Sequence, residues 1–151
     1  MKIALCSDSH GNTTAVDEIY KRYPDCDFYL HAGDGETSWP DVFPFEMVKG
    51  NRDWDDNLPE KLLFHTPYGS LLMQHSPRIS LNFLREQGIK IFVHGHTHTR
   101  EHFERDGVIW LNPGAISFAR DGNDLSFAII DISQDGLKVN FFSLLDKKTN
   151  F

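Results

Sequence analysis

Cysteine is scarce in this chain: only Cys6 and Cys26 occur in 151 residues. They form no CxxC pair and cannot build a disulfide framework, which predicts two core thiols in a reducing compartment. Long apolar runs are also missing. None approaches the roughly 18 residues of a membrane span, and the stretch Ile3 to Cys6 is too short for the core of a signal peptide. The expectation is a soluble, cytoplasmic protein that touches no membrane. An excess of positive charge is absent as well: 15 Lys and Arg stand against 22 Asp and Glu, a formal net charge of −7. That disfavours an extended nucleic-acid surface and leaves room for a local cationic site. Repeats, linkers and low-complexity segments are lacking too. What remains, 40% hydrophobic, 13% aromatic and 25% charged residues, describes an ordinary globular chain, read as one domain over 1–151.

Histidine is the compositional oddity. There are 8, and His94, His96, His98 and His102 stand close together. Such clustering points to a metal, because imidazoles held side by side repel one another on protonation unless a cation keeps them neutral.

The hydrophobic pattern places these residues. Lys2 to Ser7 reads as a buried strand that delivers Asp8 and His10 into a loop. Asn12 or Thr13 caps a helix running to about Tyr23 on the stripe Val16, Ile19 and Tyr20, with Pro24 beyond it. Asp27 to His31 is a second strand ending on Gly33-Asp34. A loop rich in Gly, Ser and Pro leads to a third strand, Phe45 to Lys49, which ends on Gly50-Asn51-Arg52-Asp53. Lys61 to Thr66 and Ser70 to Gln74 form a hairpin ending on His75. Ser80 to Gln87 is a short helix stopped by Gly88. Ile89 to Val93 is a strand that feeds into His94-Gly95-His96-Thr97-His98, where an extended chain would point the three histidines to one side. From Glu101 onward the pattern is strand and turn, punctuated by Asp106-Gly107, Asp121-Gly122-Asn123-Asp124 and Asp135-Gly136, with Asp146 to Phe151 as a frayed tail. An α/β front half with an antiparallel back half predicts two packed sheets with helices outside, and loops assembled along one edge.

Singly, each polar block has an ordinary use as a cap or a turn. Together they form an ordered set: Asp8-x-His10, Gly33-Asp34, Gly50-Asn51-Arg52-Asp53, His75 and Gly95-His96-x-His98, each after a strand-like run. The set resembles the calcineurin-like metallophosphoesterase superfamily over about residues 1 to 115, including the turn Asn112-Pro113-Gly114, and in size it is similar to the small bacterial and archaeal phosphodiesterases of that superfamily. The resemblance implies an α/β (α+β) fold: a four-layer αββα sandwich of two mixed sheets flanked by helices. It also implies two divalent transition-metal ions, with Mn expected ahead of Ni, Fe, Co or Zn. Asp8, His10 and His98 would hold one ion, Asn51, His75 and His96 the other, and Asp34 would bridge them. A hydroxide activated by both metals would then hydrolyse a small phosphodiester, a nucleotide being one candidate. Carboxylate, amide and imidazole donors suit such borderline cations.

Beyond ligation, Asp34, Asn51, Arg52 and Asp53 are the residues expected to carry catalysis. His94 lies outside the matched block and is expected to pack rather than ligate. Two departures stand out. Many superfamily members have histidine where this chain has Arg52, and arginine is a poor proton donor, which suits a charge clamp better than a general acid. His75 is followed by Ser76-Pro77 where glycine is frequent. The pocket wall would come from the loop Glu36 to Phe43 and from Trp39, Trp54 and Phe118. Two other readings stay open: a catalytically silent interaction scaffold of the same fold, and a structural protein with one zinc. A homo-oligomer is compatible with all three.

Overall fold

The structure, a computed structural model, describes residues 1–120, 122 and 124–144. The expected tail over 146–151, and Asp121 and Asn123 of the expected turn, lie outside the described residues. The elements are β1 (Lys2–Cys6), α1 (Thr13–Arg22), β2 (Phe28–His31), a 3₁₀ turn (Trp39–Val42), β3 (Glu46–Met47), β4 (Lys61–Thr66), β5 (Gly69–Gln74), α2 (Leu81–Glu86), β6 (Ile89–Val93), β7 (Arg100–Arg105), β8 (Val108–Pro113), β9 (Ser126–Ser133) and β10 (Gly136–Ser143).

They form two five-stranded sheets, ordered β10-β9-β1-β2-β3 and β4-β5-β6-β8-β7. Both are mixed. β1, β2 and β3 run parallel in the first, and β5, β6 and β8 in the second. Antiparallel strands complete each sheet. The apolar runs are continuous because the parallel strands are covered on both faces. Along β1, Ile3 and Leu5 enter the core between the sheets with Leu71, Ile91 and Leu111. Ala4 and Cys6 face outward against Val16 and Ile19 of α1. On the far side, Leu84 of α2 packs on Leu72, Phe92 and Val108. The result is the expected four-layer order of helix, sheet, sheet and helix. Asn12 Oδ1 caps α1 by accepting from the Ala15 amide at 3.1 Å, and Ser80 Oγ caps α2 through the Phe83 amide.

Three local readings differ. The third strand shrinks to Glu46–Met47, because the Phe45 amide is spent on the turn carbonyl of Val42. The back half is not purely antiparallel, since β8 runs parallel to β6. The histidine run is not extended: His96 and His98 adopt left-handed backbone, with φ of 70° and 58°.

Candidate metal centre

Parallel strands gather their carboxyl ends at one edge of a sheet, the usual place for a site in open α/β sheets. Here both sheets do so together. The chain leaves β1 toward Asp8 and His10, β2 toward Asp34, β3 toward Asn51, β5 toward His75, β6 toward His96 and His98, and β8 toward Phe118.

The loops then bend sharply. Six of the seven described non-glycine residues with positive φ are Asp8, His10, Asp34, Glu36, His96 and His98, three pairs at i and i+2 just beyond β1, β2 and β6. Left-handed backbone in residues other than glycine costs about 1 kcal/mol or more each and concentrates at functional sites. Hydrogen bonds between loops hold it: His10 N–H donates to Asp34 O at 3.0 Å, Gly95 N–H to His75 O at 3.0 Å and Arg120 N–H to His98 O at 3.1 Å. Asn112 pins the bend after β6, its Nδ2 donating to Gly95 O and Thr97 Oγ1.

Two groups of side chains result whose ligand atoms lie within 4.8 Å of one another: Asp8, His10 and His98, and Asp34, His75 and His96. In the first, Asp8 is fully buried. Its Oδ2 accepts from Ser7 Oγ and from the His96 amide. Its Oδ1 accepts no hydrogen bond, though it lies 3.2 Å from His98 Nε2 and 3.8 Å from His10 Nε2. A buried carboxylate oxygen among ring nitrogens, without a donor, is what a cation would satisfy. The rings are turned for it. His10 Nδ1 faces Glu36 Oε1 at 2.8 Å, His98 Nδ1 faces Phe118 O at 2.8 Å and His75 Nδ1 faces Ala32 O at 2.8 Å. With the proton on Nδ1 donated backward, each Nε2 keeps a lone pair facing inward.

In the second group His75 Nε2 stands 3.1 Å from Asp34 Oδ2 and 3.0 Å from Asn51 Oδ1, which also meets His96 Nδ1 at 3.1 Å. Asn51 and His96 are exposed, so this group opens to solvent while Asp8 lies at the bottom. Burial pushes the His75 imidazolium down, but Asp34 and Asp8 outweigh it and the net shift is upward. Burial and His75 hold His96 below its ordinary value. Burial opposes ionisation of Asp34, yet His75 and the Arg52 amide carry its carboxyl lower. The donor set of carboxylates, imidazoles and an amide oxygen fits divalent transition metals in both groups.

The residues around the groups divide clearly. Asp53 points to backbone: it accepts from the amides of Asp34, Gly50 and Glu36 at 2.7 to 2.9 Å, stitching the loop after β2 to the loop after β3. Arg52 donates its amide to Asp34 Oδ1 at 2.8 Å and extends an exposed guanidinium toward Glu36 at 3.4 Å. His94 turns away, with its ring nitrogens on Gly95 O and on Glu101. Of the three aromatics raised as pocket wall, Phe118 lines the cavity with His10 and His98. Trp39 lines another cavity beside Phe43 and Leu58, and Trp54 is exposed.

Sequence reasoning missed His31 and Arg120, and it named Glu36 only as the start of a pocket-wall loop, not as the partner of His10. Fully buried His31 bonds Ser9 Oγ through Nε2 and accepts the Gly33 amide on Nδ1. Its signal was a histidine closing an apolar strand. Arg120 lines the histidine cavity opposite no matched motif.

Residues 1–135 match the model of the calcineurin-like phosphoesterase superfamily domain. The chain belongs to this superfamily. It is 29% identical over 153 aligned positions to the probable metallophosphoesterase YsnB of Bacillus subtilis, with 94% of this chain and 90% of that one covered. A conserved protein of Streptococcus pneumoniae described as a predicted phosphoesterase superposes with a TM-score of 0.84 at 28% identity, covering 95% of this chain and 89% of that one. A novel archaeal phosphodiesterase shares the fold, with a TM-score of 0.74 at 18% identity and coverage of 94% and 100%. A phosphoesterase of this superfamily depends on divalent metal, and the chain carries two side-chain groups that could hold one. No helix among the described residues is long and apolar enough to cross a membrane.

Proposed function

We propose that this calcineurin-like phosphoesterase is a phosphodiesterase acting on a small phosphodiester with two divalent ions, manganese foremost. Asp8, His10 and His98 would hold one ion, Asn51, His75 and His96 the other, with Asp34 shared. The observation that carries the reading is the unpartnered Oδ1 of Asp8, buried beneath inward-facing imidazole nitrogens and continuous with a second ligand group. When bound, such a pair lends Lewis acidity to a phosphoryl group and lowers the pKa of water.

The chain's own residues do the rest. Glu36 fixes His10 by taking its Nδ1 proton in a hydrogen bond, and Asp53 fixes Glu36 and Asp34 through their amides. Arg52, a guanidinium exposed at the rim, would hold a phosphoryl oxygen. Phe118 covers one side of His98, ring centroids 4.3 Å apart. The presence of two ligand groups favours the enzyme over a silent scaffold, and a structural site for one zinc would use one group and leave the other without a task.

Metal analysis after loading with Mn, coupled to hydrolysis of bis-p-nitrophenyl phosphate, tests this. Two ions per chain and turnover of the diester are expected. Saturation at one ion in an active enzyme would remove the shared role of Asp34, and absence of diester turnover in the loaded protein would remove the activity.

A further inference from the structure

The cavity lined by His10, Asp34, His96 and His98 is not the end of the cleft. A neighbouring cavity of about 900 Å³ shares Asn51 and His96 with it, is lined by His75 and reaches Lys49, Lys61 and Arg78. Three cationic side chains in one cavity run against the character of a chain with net charge −7. Lys49 is neutralised by Asp56 at 2.7 Å. Lys61 and Arg78 have no ion-pair partner among the described residues. The Lys61 ammonium rests 5.6 Å from the centre of the Phe83 ring.

Two carboxylates, Asp53 and Glu60, line the cavity as well. Asp53 is turned to three backbone amides, and neither forms an ion pair with Lys61 or Arg78 among the described residues. The loop is also built. Gln74 Nε2 donates to the carbonyls of Ser76 and Arg78 at 2.8 and 3.2 Å, and the Arg78 amide donates to Ser76 Oγ at 3.1 Å. A buried glutamine thus fixes the backbone that carries Arg78.

We propose that this cavity is a subsite for a second phosphate, so that the substrate is a phosphodiester bearing a further phosphate group, as in a phosphorylated nucleotide ester. In the reading above one phosphate is held by the ligand groups and Arg52, which leaves Lys61 and Arg78 for another. A second phosphate there gains charge-assisted hydrogen bonds from Lys61 and Arg78. The substrate assignment rests on the phosphodiesterase reading above, while the affinity of the subsite stands apart from it.

The test is calorimetric binding of thymidine 3′,5′-bisphosphate and thymidine 5′-monophosphate to the manganese-loaded protein. The bisphosphate should bind about ten-fold tighter, and the ratio should fall close to one in Lys61→Ala/Arg78→Ala and below one in Lys61→Glu/Arg78→Glu. Both positions are exposed, and circular dichroism verifies folding. Equal affinities in the wild type, or a ratio kept in the double variants, would overturn the subsite. Release of nitrophenolate from thymidine 5′-p-nitrophenyl phosphate, with and without a 3′-phosphate, separates the two ideas. Selective bisphosphate binding without turnover of either ester leaves the subsite and sinks the phosphodiesterase. Equal turnover of both without selective binding does the reverse.

Discussion

The Oδ1 atom of Asp8 lies 3.2 Å from Nε2 of His98, yet no hydrogen bond reaches it. The same atom is 3.9 Å from His75 Nε2, which belongs to the other ligand group. Asp8 therefore lies near ring nitrogens of both groups, buried where a bare charge is costly.

Asp8→Asn should separate metal uptake from stability. The new amide can donate to the His98 lone pair, while the remaining oxygen can still accept from Ser7 Oγ or the His96 amide. The metal-free variant should be more stable than metal-free wild type by about 1 kcal/mol and should lose the gain in Tm that Mn gives the wild type. Thermal scans with chelator and with Mn read both effects, and a metal-free variant less stable than wild type would refute this account of Asp8.

Asp34 and Asp53 should differ in kind. Asp34→Asn removes a charge beside His75 and should abolish diester turnover with little loss of fold. Asp53→Asn places a donor against backbone N–H groups. It should cost about 1–3 kcal/mol in urea unfolding and weaken metal binding about 10- to 100-fold by loosening Asp34. Equal activity of Asp34→Asn and wild type would place Asp34 outside the site.

Gly95 lies in a bend that leaves no room for a Cβ, which would overlap Ser7 Oγ and come within 2.7 Å of Asp8 Oδ2. Gly95→Ala should cost about 1–3 kcal/mol as overpacking and displace Asp8. Adding Ser7→Ala should recover part of that stability, since the nearer overlap disappears. No recovery in denaturant titrations would show that the bend itself, not Ser7, is the obstacle.

These residues also show what the chain's pattern made legible. Each ligand block could be found because it follows an apolar run, and runs covered on both faces end where the backbone meets water. Two packed sheets with helices outside followed from the same runs. The bends were hidden. Left-handed backbone at Asp8, Asp34 and His96 is imposed by loops bonding across strands distant in sequence, and nothing local signals it. The histidine run therefore reads as an extended segment, whereas the bends send His96 to one group, His98 to the other and His94 toward Glu101. Glu36 was equally hidden, because its task depends on two partners 26 and 17 positions away.

Arg52 should be visible in the kinetics. General acid catalysis contributes about 10² to 10⁴ in rate, and a guanidinium cannot supply it. With chemistry rate-limiting, the rate should fall steeply as leaving-group pKa rises across a series of aryl and alkyl diesters, and Arg52→His should flatten the slope. A flat dependence in the wild type would assign proton donation to another residue.

His31 gives the sharpest dependence on pH. Burial pushes its imidazolium from an ordinary value of 6.5 down to about 4, with the neighbouring Asp53 carboxylate opposing. The neutral ring is the form the fold uses, because Nδ1 must accept the Gly33 amide. Below pH 6.5 the unfolded chain takes up a proton that the folded chain refuses until about pH 4. The stabilisation is therefore complete above 6.5, is lost progressively as pH falls toward 4, and changes no further below that. The total is about 3 kcal/mol. Urea unfolding of the chelator-treated protein between pH 4 and 7 should show a slope of stability against pH that exceeds that of His31→Gln by up to one proton. Because carboxylates titrating in the same range contribute to both proteins, the difference isolates His31. Parallel slopes would mean that the ring is protonated in the fold and that the Gly33 amide is held by something else.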